Sequence, residues 1–310
     1  MSAKRTSDSS RERLRELLGL EQLAPASPAR LEMSEGEAAD PLQPQEGELQ
    51  LADGTSIPSF LLRPEAAAAN GAAIVLVAGH GRGIDSLVAT AESTEFNAGT
   101  AYAFARAGFT VLCPEVLSFG RRRFARPEGA APYEQGENSC GIDAARFMLR
   151  GIPLMGRRVA DALAAHDAVG RLPGVDPERV GVAGGSGGGA VALLLAAAEP
   201  RIAAALVAAY FCSFEASFCS IRHCPCNIIP GILPDLEMAD IAALIAPRPL
   251  VIEHGERDHI FPIGATRAAF AQLPPVWEEL GARAPELVVT DGGHSFRAER
   301  SLAALAEALA

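Results

Sequence analysis

The sequence lacks any uninterrupted apolar run long enough to cross a lipid bilayer, and no signal-peptide core follows its basic N-terminus. Positive charge is also scarce, because 27 Lys and Arg stand against 38 Asp and Glu, for a formal net charge of −11. This balance argues against nucleic acid or an anionic membrane surface as the main partner. We therefore expect a cytoplasmic protein with neither of these partners.

Cysteine is sparse as well, with six residues in a chain of 310. A reducing compartment would keep them as thiols. Four of them fall close together, with His223 beside them, at positions 212, 219, 224 and 226. Cys224 and Cys226 lack the two-residue gap that is usual between paired zinc ligands. We expect packed free thiols without a metal or cofactor, and a zinc site or a disulfide remains open as an alternative.

Short apolar runs typical of buried strands alternate with runs of helical length along most of the chain. The predicted strands are 48–52, 57–63, 73–78, 109–113, 180–183, 203–209, 249–253 and 286–290. The predicted helices are 95–107, 141–149, 159–172, 187–197, 238–246, 264–273 and 297–309. Alternation of this kind predicts a mostly parallel twisted sheet of about eight strands with helices on both faces. The first two strands flank Asp53-Gly54, which indicates an opening hairpin.

The chain divides by composition into two parts. Residues 1–45 are polar and rich in proline, which predicts a loosely attached arm with one short helix at 11–20. Residues 46–310 are expected to form a single α/β domain, an ordinary size for one core. Two irregular segments, 115–155 and 210–234, interrupt it. Long irregular segments in a compact domain usually carry function.

The run Gly184-Gly185-Ser186-Gly187-Gly188 lies between a predicted strand and a predicted helix and matches G-x-S-x-G. In such a nucleophile elbow, a sharp turn presents the serine in a strained conformation. The same glycines also satisfy the dinucleotide-binding pattern G-x-G-x-x-A, which requires an acidic residue after the next strand. That strand runs instead into Tyr210 and Phe211. We favour the elbow, and a plain glycine-rich turn is the other alternative.

A serine nucleophile needs a base and an orienting acid, because a free hydroxyl is almost wholly protonated at neutral pH. In open α/β sheets these groups come from loops at the carboxyl ends of later strands. Asp258 follows the strand 249–253, and His294 follows the last strand after two glycines. The chain order Ser186, Asp258, His294 is the α/β-hydrolase order. Asp291 is a rival for the acid, and five other histidines could be surface or packing residues.

An oxyanion hole needs two convergent N–H donors. One should be the amide of Gly187, directly after the serine. The second should come from the loop 79–83, as the N–H of Arg82 or Gly81. His80 in the same loop is expected to pack internally rather than take part in the chemistry.

The two irregular segments are expected to select the substrate. Aromatic residues after the strand 203–209 could form the wall of an apolar pocket; they are Tyr210, Phe211, Phe214 and Phe218. Glu115, at the end of another strand, could also face the site. Arg121, Arg122 and Arg123 could bind a carboxylate or sugar hydroxyl, or could simply form a solvated turn.

Over residues 45–310 the chain resembles the α/β-hydrolases. Three further stretches resemble the branch with acetyl xylan esterase-like and dienelactone hydrolase-like proteins: VDPERV at 175–180, APRPL at 246–250 and GERDHIFP at 255–262. True dienelactone hydrolases use a cysteine nucleophile, whereas this chain has Ser186. The resemblance implies a serine esterase acting on a small-molecule ester, with acetyl or other short acyl groups favoured. A prolyl-oligopeptidase-type peptidase and a non-catalytic binding protein are the alternatives.

Overall fold

A nine-stranded sheet forms the centre of the computed structural model, which describes residues 3–23, 28–34, 42–90, 93 and 95–309. The strands are β1 (Arg30–Met33), β2 (Gln45–Gln50), β3 (Ser56–Leu62), β4 (Ala73–Val77), β5 (Thr110–Pro114), β6 (Val180–Gly185), β7 (Ala205–Ala208), β8 (Leu250–Gly255) and β9 (Glu286–Thr290). Their order across the sheet is β1-β2-β3-β5-β4-β6-β7-β8-β9. The first three strands pair antiparallel, β3 pairs antiparallel with β5, and all later pairs are parallel. This is the predicted mostly parallel architecture, with one additional strand at the edge.

Helices cover both faces of the sheet, so its central strands are buried along their whole length. They are α1 (Ala3–Leu18), α2 (Leu20–Leu23), α3 (Ile84–Leu87), α4 (Thr100–Arg106), α5 (Cys140–Met148), α6 (Leu154–Val169), α7 (Gly187–Ala198), α8 (Met238–Ala243), α9 (Ile263–Phe270), α10 (Pro274–Glu279) and α11 (Glu299–Ala308). Strands buried on both faces read as continuous apolar runs, which is why AIVLV forms β4. Among the described helices, none is both apolar enough and long enough to span a membrane.

Helix α1 packs on the domain, so the prediction of a loosely attached arm is wrong for residues 3–23. Leu14 and Leu18 are fully buried, and the Arg11 guanidinium donates to the carbonyl oxygens of Ala197 (3.0 Å) and Leu244 (2.7 Å). The β1 strand also joins the sheet. Residues 1–2, 24–27 and 35–41 of the predicted arm lie outside the described residues. The division of the chain near residue 45 stays a prediction.

The carboxyl ends of the parallel strands lie at one edge of the sheet, and both irregular segments leave from there. The segment 115–155 follows β5 and contains α5. The segment 210–234 follows β7 and includes a short 3₁₀ turn, Pro225–Asn227. Since β6 ends at Gly185 on the same edge, both segments are placed to surround the turn that holds Ser186.

Candidate active site

Ser186 occupies a strained turn between β6 and α7. Its φ of 53° and ψ of −119° lie in a region that non-glycine residues rarely adopt. Glycines are needed on both sides of the serine, because a side chain there would clash with the backbone. A Cβ on Gly184 would lie 2.4 Å from the carbonyl oxygen of Gly188, and one on Gly188 would lie 2.0 Å from that of Val77. The sequence therefore folds here into the elbow geometry that the G-x-S-x-G pattern predicts.

A hydrogen-bonded chain connects Ser186 to two residues from later loops. The Nε2 atom of His294 lies 2.9 Å from the Oγ of Ser186, and its Nδ1 atom lies 2.8 Å from the Oδ2 of Asp258. The other carboxylate oxygen of Asp258 accepts the backbone N–H groups of Ile260 (2.8 Å) and Phe261 (3.1 Å). The acid is thus held by its own loop, and it orients the imidazole toward the serine hydroxyl.

Asp258 is held in its ionised form by these partners. Its side chain is completely buried, and burial by itself would raise its pKa. The hydrogen bond and charge interaction with His294, with the two backbone N–H bonds, nevertheless keep the pKa below its usual value. Asp291, the rival acid, is exposed. A buried carboxylate beside the imidazole is the group needed to stabilise an imidazolium.

The loop after β4 approaches the serine most closely at its first two residues. A Cβ on Gly79 would lie 2.8 Å from the carbonyl oxygen of Gly185 and 3.3 Å from the Cβ of Ser186. The Nδ1 atom of His80 lies 3.0 Å from the position that a Cβ on Gly187 would occupy. This contact places the imidazole of His80 beside the amide that begins α7.

Gly81 and Arg82 lie further along the same loop and line a neighbouring hollow rather than the cleft with Ser186. The Nε of Arg82 lies 2.7 Å from a carboxylate oxygen of Glu95. Their assignment as the second oxyanion donor therefore stays a prediction, as does that of Gly187.

Ser186 and His294 open onto a cleft of about 520 Å³. Aromatic rings surround the histidine, since Phe96 and Phe261 have ring centroids 5.0 and 5.9 Å from that of His294. Tyr210 also lines the cleft, with its ring centroid 5.4 Å from that of Phe261, and its role as a substrate contact stays a prediction. Polar groups at the cleft include Arg222, His223 and His259. The site is thus an apolar cleft with a few polar groups at its wall, as small-molecule sites usually are.

The other predicted aromatic residues lie elsewhere. Phe211 is fully buried, and its carbonyl oxygen accepts the Thr266 hydroxyl at 2.9 Å, so the prediction that it lines the pocket is wrong. Phe214 and Phe218 line a separate cavity of about 330 Å³. Phe218 lies behind the wall of the cleft, because its ring stacks on that of His223 (centroids 4.0 Å apart) and packs against Tyr210 (5.9 Å) and Phe261 (6.0 Å). Neighbouring residues on an irregular segment point in different directions, and their sequence order does not reveal which ones face the site.

Glu115 was also predicted at the substrate site, and this prediction is wrong. Its side chain is buried and accepts the backbone N–H groups of Ile84 (3.2 Å), Val116 (3.0 Å) and Arg121 (2.9 Å). Burial raises its pKa to about 7, despite these hydrogen bonds. Glu115 does not line the cleft; it connects the loops that follow β4 and β5.

The arginine run beside it is largely engaged within the protein. Arg122 donates to the carboxylate of Asp161 at 2.8 Å, and both side chains are nearly buried. Arg121 pairs with Asp85 at 2.8 Å, and Arg123 stacks over the ring of Tyr133. These contacts hold the run in a turn of the protein itself, and the nearly buried Arg122 departs from the solvated turn that was the alternative interpretation.

The strand-serine-helix turn, with an acid and a histidine after two later strands of a mostly parallel sheet, defines a hydrolase of the α/β-hydrolase fold. A model of the Dienelactone hydrolase family matches residues 58–307. The chain belongs to this family and is a carboxylic-ester hydrolase.

Solved structures share the fold. A putative acetyl xylan esterase from Bacteroides fragilis superposes with a TM-score of 0.73 at 13% identity, over 92% of this chain and 74% of that one. A glucuronoyl esterase from Solibacter usitatus gives 0.63 at 17% identity, over 100% and 94%. Acetyl xylan esterase 1 from Thermoanaerobacterium gives 0.56 at 16%, over 100% and 99%. A search of the curated proteins found no match.

Proposed function

We propose that this protein hydrolyses a small or medium carboxylic ester through an acyl-enzyme on Ser186. The observation that carries the proposal is the continuous hydrogen-bonded chain from Ser186 through His294 to Asp258, with distances of 2.9 and 2.8 Å, opening onto the cleft. A nucleophile, a base and an orienting acid within hydrogen-bond reach are the parts that two-step acyl transfer requires.

In the first step His294 Nε2 takes the proton of the Ser186 hydroxyl as Oγ attacks the ester carbonyl carbon. Asp258 holds the tautomer with the proton on Nδ1 and stabilises the imidazolium that forms. The N–H of Gly187 and one from the loop after β4 donate to the oxyanion of the tetrahedral intermediate. When the intermediate collapses, the ester C–O bond breaks and the alcohol leaves with the proton from His294.

In the second step water replaces the alcohol. His294 removes a proton from the water as it attacks the acyl-enzyme, and the proton returns to Ser186 as the acid product leaves. Every proton moves through the same imidazole.

We propose a short acyl group, which the sequence resemblance to acetyl xylan esterase-like proteins implies. Ser186 lies beside Tyr210, Phe261 and Phe96, which leave an apolar space beside the nucleophile. Two of the structural neighbours named above, one of them putative, are acetyl xylan esterases, and this supports the proposal of a short acyl group. Arg222 and His259 give the cleft polar groups that could contact a hydroxylated alcohol portion.

The proposal is tested with a series of p-nitrophenyl esters from acetyl to dodecanoyl, assayed beside a matched series of p-nitroanilides. We expect the highest kcat/KM for the acetyl to butyryl esters and little or no cleavage of the amides. Efficient cleavage of the anilides with weak esterase activity would instead indicate a peptidase. Absence of both activities in folded protein would favour a non-catalytic binding protein.

Two adjacent aromatic residues provide a matched test of the pocket. Tyr210→Ala should enlarge the cleft, because its ring lines it, whereas Phe211→Ala should leave the cleft unchanged, because that ring is in the core. We expect Tyr210→Ala to shift the relative kcat/KM toward longer acyl or larger alcohol groups by about 10-fold or more. Phe211→Ala should lower the free energy of unfolding by about 3–5 kcal/mol without changing the ester profile.

Melting temperature and ester profile are measured on both variants. Loss of stability is expected in each, since Tyr210 is also almost completely buried. Only the profile distinguishes them. Equal profiles for the two variants would contradict the assignment of Tyr210 to the substrate wall.

A further inference from the structure

Four potential metal ligands meet beside the cleft. The Nε2 of His80 and the Sγ atoms of Cys140, Cys224 and Cys226 all lie within 4.8 Å of one another. His80 Nε2 lies 3.2 Å from the Sγ of Cys226 and 3.8 Å from that of Cys140, and the two sulfur atoms of Cys224 and Cys226 are 3.1 Å apart. All six cysteines of the chain are free thiols. We call these four residues the Cys₃His cluster.

The members of the cluster come from three separate segments. His80 lies in the loop after β4, Cys140 begins α5, and Cys224 and Cys226 flank Pro225 in the 210–234 segment. The histidine of the cluster is His80, and not the His223 that adjoins the cysteines in sequence. Four donor atoms from three separate segments thus meet at one place. Packing of free thiols would not require this arrangement.

The spacing of the donor atoms suits a tetrahedral zinc ion. Zn–S bonds of about 2.3 Å and Zn–N bonds of about 2.0–2.1 Å place tetrahedral ligand atoms roughly 3.5–3.8 Å apart. Three of the separations are 3.1, 3.2 and 3.8 Å, and none of the six exceeds 4.8 Å, so side-chain movements of about 1 Å or less would give the four atoms tetrahedral spacing. Thiolate and imidazole ligands in tetrahedral geometry select zinc over harder cations such as magnesium or calcium.

The charge of the surroundings gives a second, independent indication. Arg158 is 3% exposed, and its hydrogen bonds go to the carbonyl oxygen of Leu117 (2.9 and 3.1 Å) and the Sγ of Cys140 (3.2 Å). Within the described part of the chain no carboxylate pairs with it, and its Nη1 atom has no hydrogen-bond partner. A buried guanidinium needs a compensating negative charge. Zn²⁺ with three thiolates and a neutral imidazole carries a net charge of −1, which would supply it.

We propose that the Cys₃His cluster binds one Zn²⁺ as a closed, structural site. The three thiols lose their protons to solvent as the Zn–S bonds form, and His80 binds through Nε2 as the neutral imidazole. Four protein ligands leave no open position for substrate, which distinguishes the site from a catalytic zinc. This departs from the sequence-based expectation of packed thiols without a metal.

Zinc at this position would fix the active-site loops in place. Both His80 and Cys224 line the cleft that contains Ser186, so the metal would tie the loop after β4 to the 210–234 segment. With Nε2 bound to the metal, the imidazole proton must be on Nδ1, the nitrogen that faces Gly187. The metal would thus hold the ring of His80 in one orientation beside Gly187.

The test is the zinc content of the full-length protein, purified without chelators and measured by inductively coupled plasma mass spectrometry. We expect about one zinc per chain, and little or none in Cys140→Ser and Cys224→Ser. Cys219→Ser is the matched control, because Cys219 lies in the same segment but is exposed and outside the cluster; it should retain the metal. The measurement uses no ester, so its result is independent of the proposed function.

Wild-type protein provides a second readout should the cysteine variants fail to fold. Zinc removal by a chelator should lower the melting temperature, and zinc should restore it. Replacement by Co²⁺ should give the visible and near-ultraviolet bands of tetrahedral cobalt bound to thiolates. Wild-type protein without zinc and without a cobalt spectrum would overturn the proposal. So would retention of zinc by the variants, or a disulfide between Cys224 and Cys226 in protein kept under reducing conditions.

Discussion

Replacement of Ser186 by alanine is expected to lower kcat for the best p-nitrophenyl ester by roughly 10⁵- to 10⁶-fold, a loss typical of triad nucleophiles. The change removes only the Oγ that forms the acyl-enzyme. KM should change little, because the walls of the cleft are left intact. The residual rate should come from the oxyanion donors and from substrate binding alone.

The control is Ser220→Ala, in which an exposed serine of the 210–234 segment is changed. Its kcat and melting temperature should match those of the wild-type protein. If Ser186→Ala kept kcat within 10-fold of wild type while remaining folded, Ser186 could not be the nucleophile.

Replacement of Asp258 by asparagine is expected to lower kcat by about 10⁴-fold, the loss known when another triad aspartate is amidated. The Oδ1 of Asp258 accepts two backbone N–H groups, so the carbonyl oxygen of an asparagine must take that position. The amide nitrogen then faces His294 Nδ1, where the carboxylate now accepts at 2.8 Å. Two N–H donors cannot face each other, so the proton moves to Nε2 and the imidazole loses its ability to accept the serine proton.

The matched control for the acid is Asp291→Asn. Asp291 is three residues before His294 in the sequence but is exposed, so its amidation should change kcat by less than about 10-fold. The measurement is kcat on one ester for both variants, with melting temperatures to confirm folding. A larger loss for Asp291→Asn than for Asp258→Asn would reverse the assignment of the acid.

Much of the sheet could be predicted because its central strands are apolar throughout. The central strand predicted at 73–78 is confirmed over Ala73–Val77, and the edge strand β9 also has its predicted bounds, Glu286–Thr290. The predicted strand 203–209 is confirmed over Ala205–Ala208. Strand β1 was missed because it is a short edge strand of four residues with no fully buried position.

Helix bounds were less predictable, because local backbone geometry decides them. The helix expected at 95–107 begins only at Thr100, since Gly99 before it has a left-handed φ of 73°. The helix expected to begin at 159 begins at Leu154 instead, directly after Pro153. Proline is favoured where a helix begins, because it has no N–H to leave unpaired. Both glycine and proline were visible in the sequence, and they would have been better guides than hydrophobicity.

Some residues of the candidate site could also be predicted from the sequence, and others could not. Ser186, Asp258 and His294 could be placed together because each follows a strand of a parallel sheet, and those strands end at one edge. Glu115 also follows a strand, yet its side chain turns inward to bind backbone N–H groups. The carboxylate of Glu115 fits there only because Gly83 has no side chain: a Cβ on Gly83 would lie 2.1 Å from it. The direction of a side chain such as Glu115 is set by contacts between distant parts of the chain, so it could not be predicted from the sequence.

The Cys₃His cluster shows the same limit more strongly. His80 and Cys140 are separated from Cys226 by 146 and 86 residues in the sequence. Only the fold of the sheet and the two irregular segments brings them to one point. The sequence alone singled out Cys224 and Cys226, but it grouped them with Cys212, Cys219 and the adjacent His223, and it did not single out Cys140.

Labelling with a fluorophosphonate, with the adduct located by mass spectrometry, shows whether Ser186 is an activated nucleophile. We expect one adduct per chain on Ser186, loss of esterase activity in proportion to labelling, and no adduct on Ser186→Ala. An adduct on another residue of the active protein, or full activity after exposure with no adduct at all, would contradict this expectation.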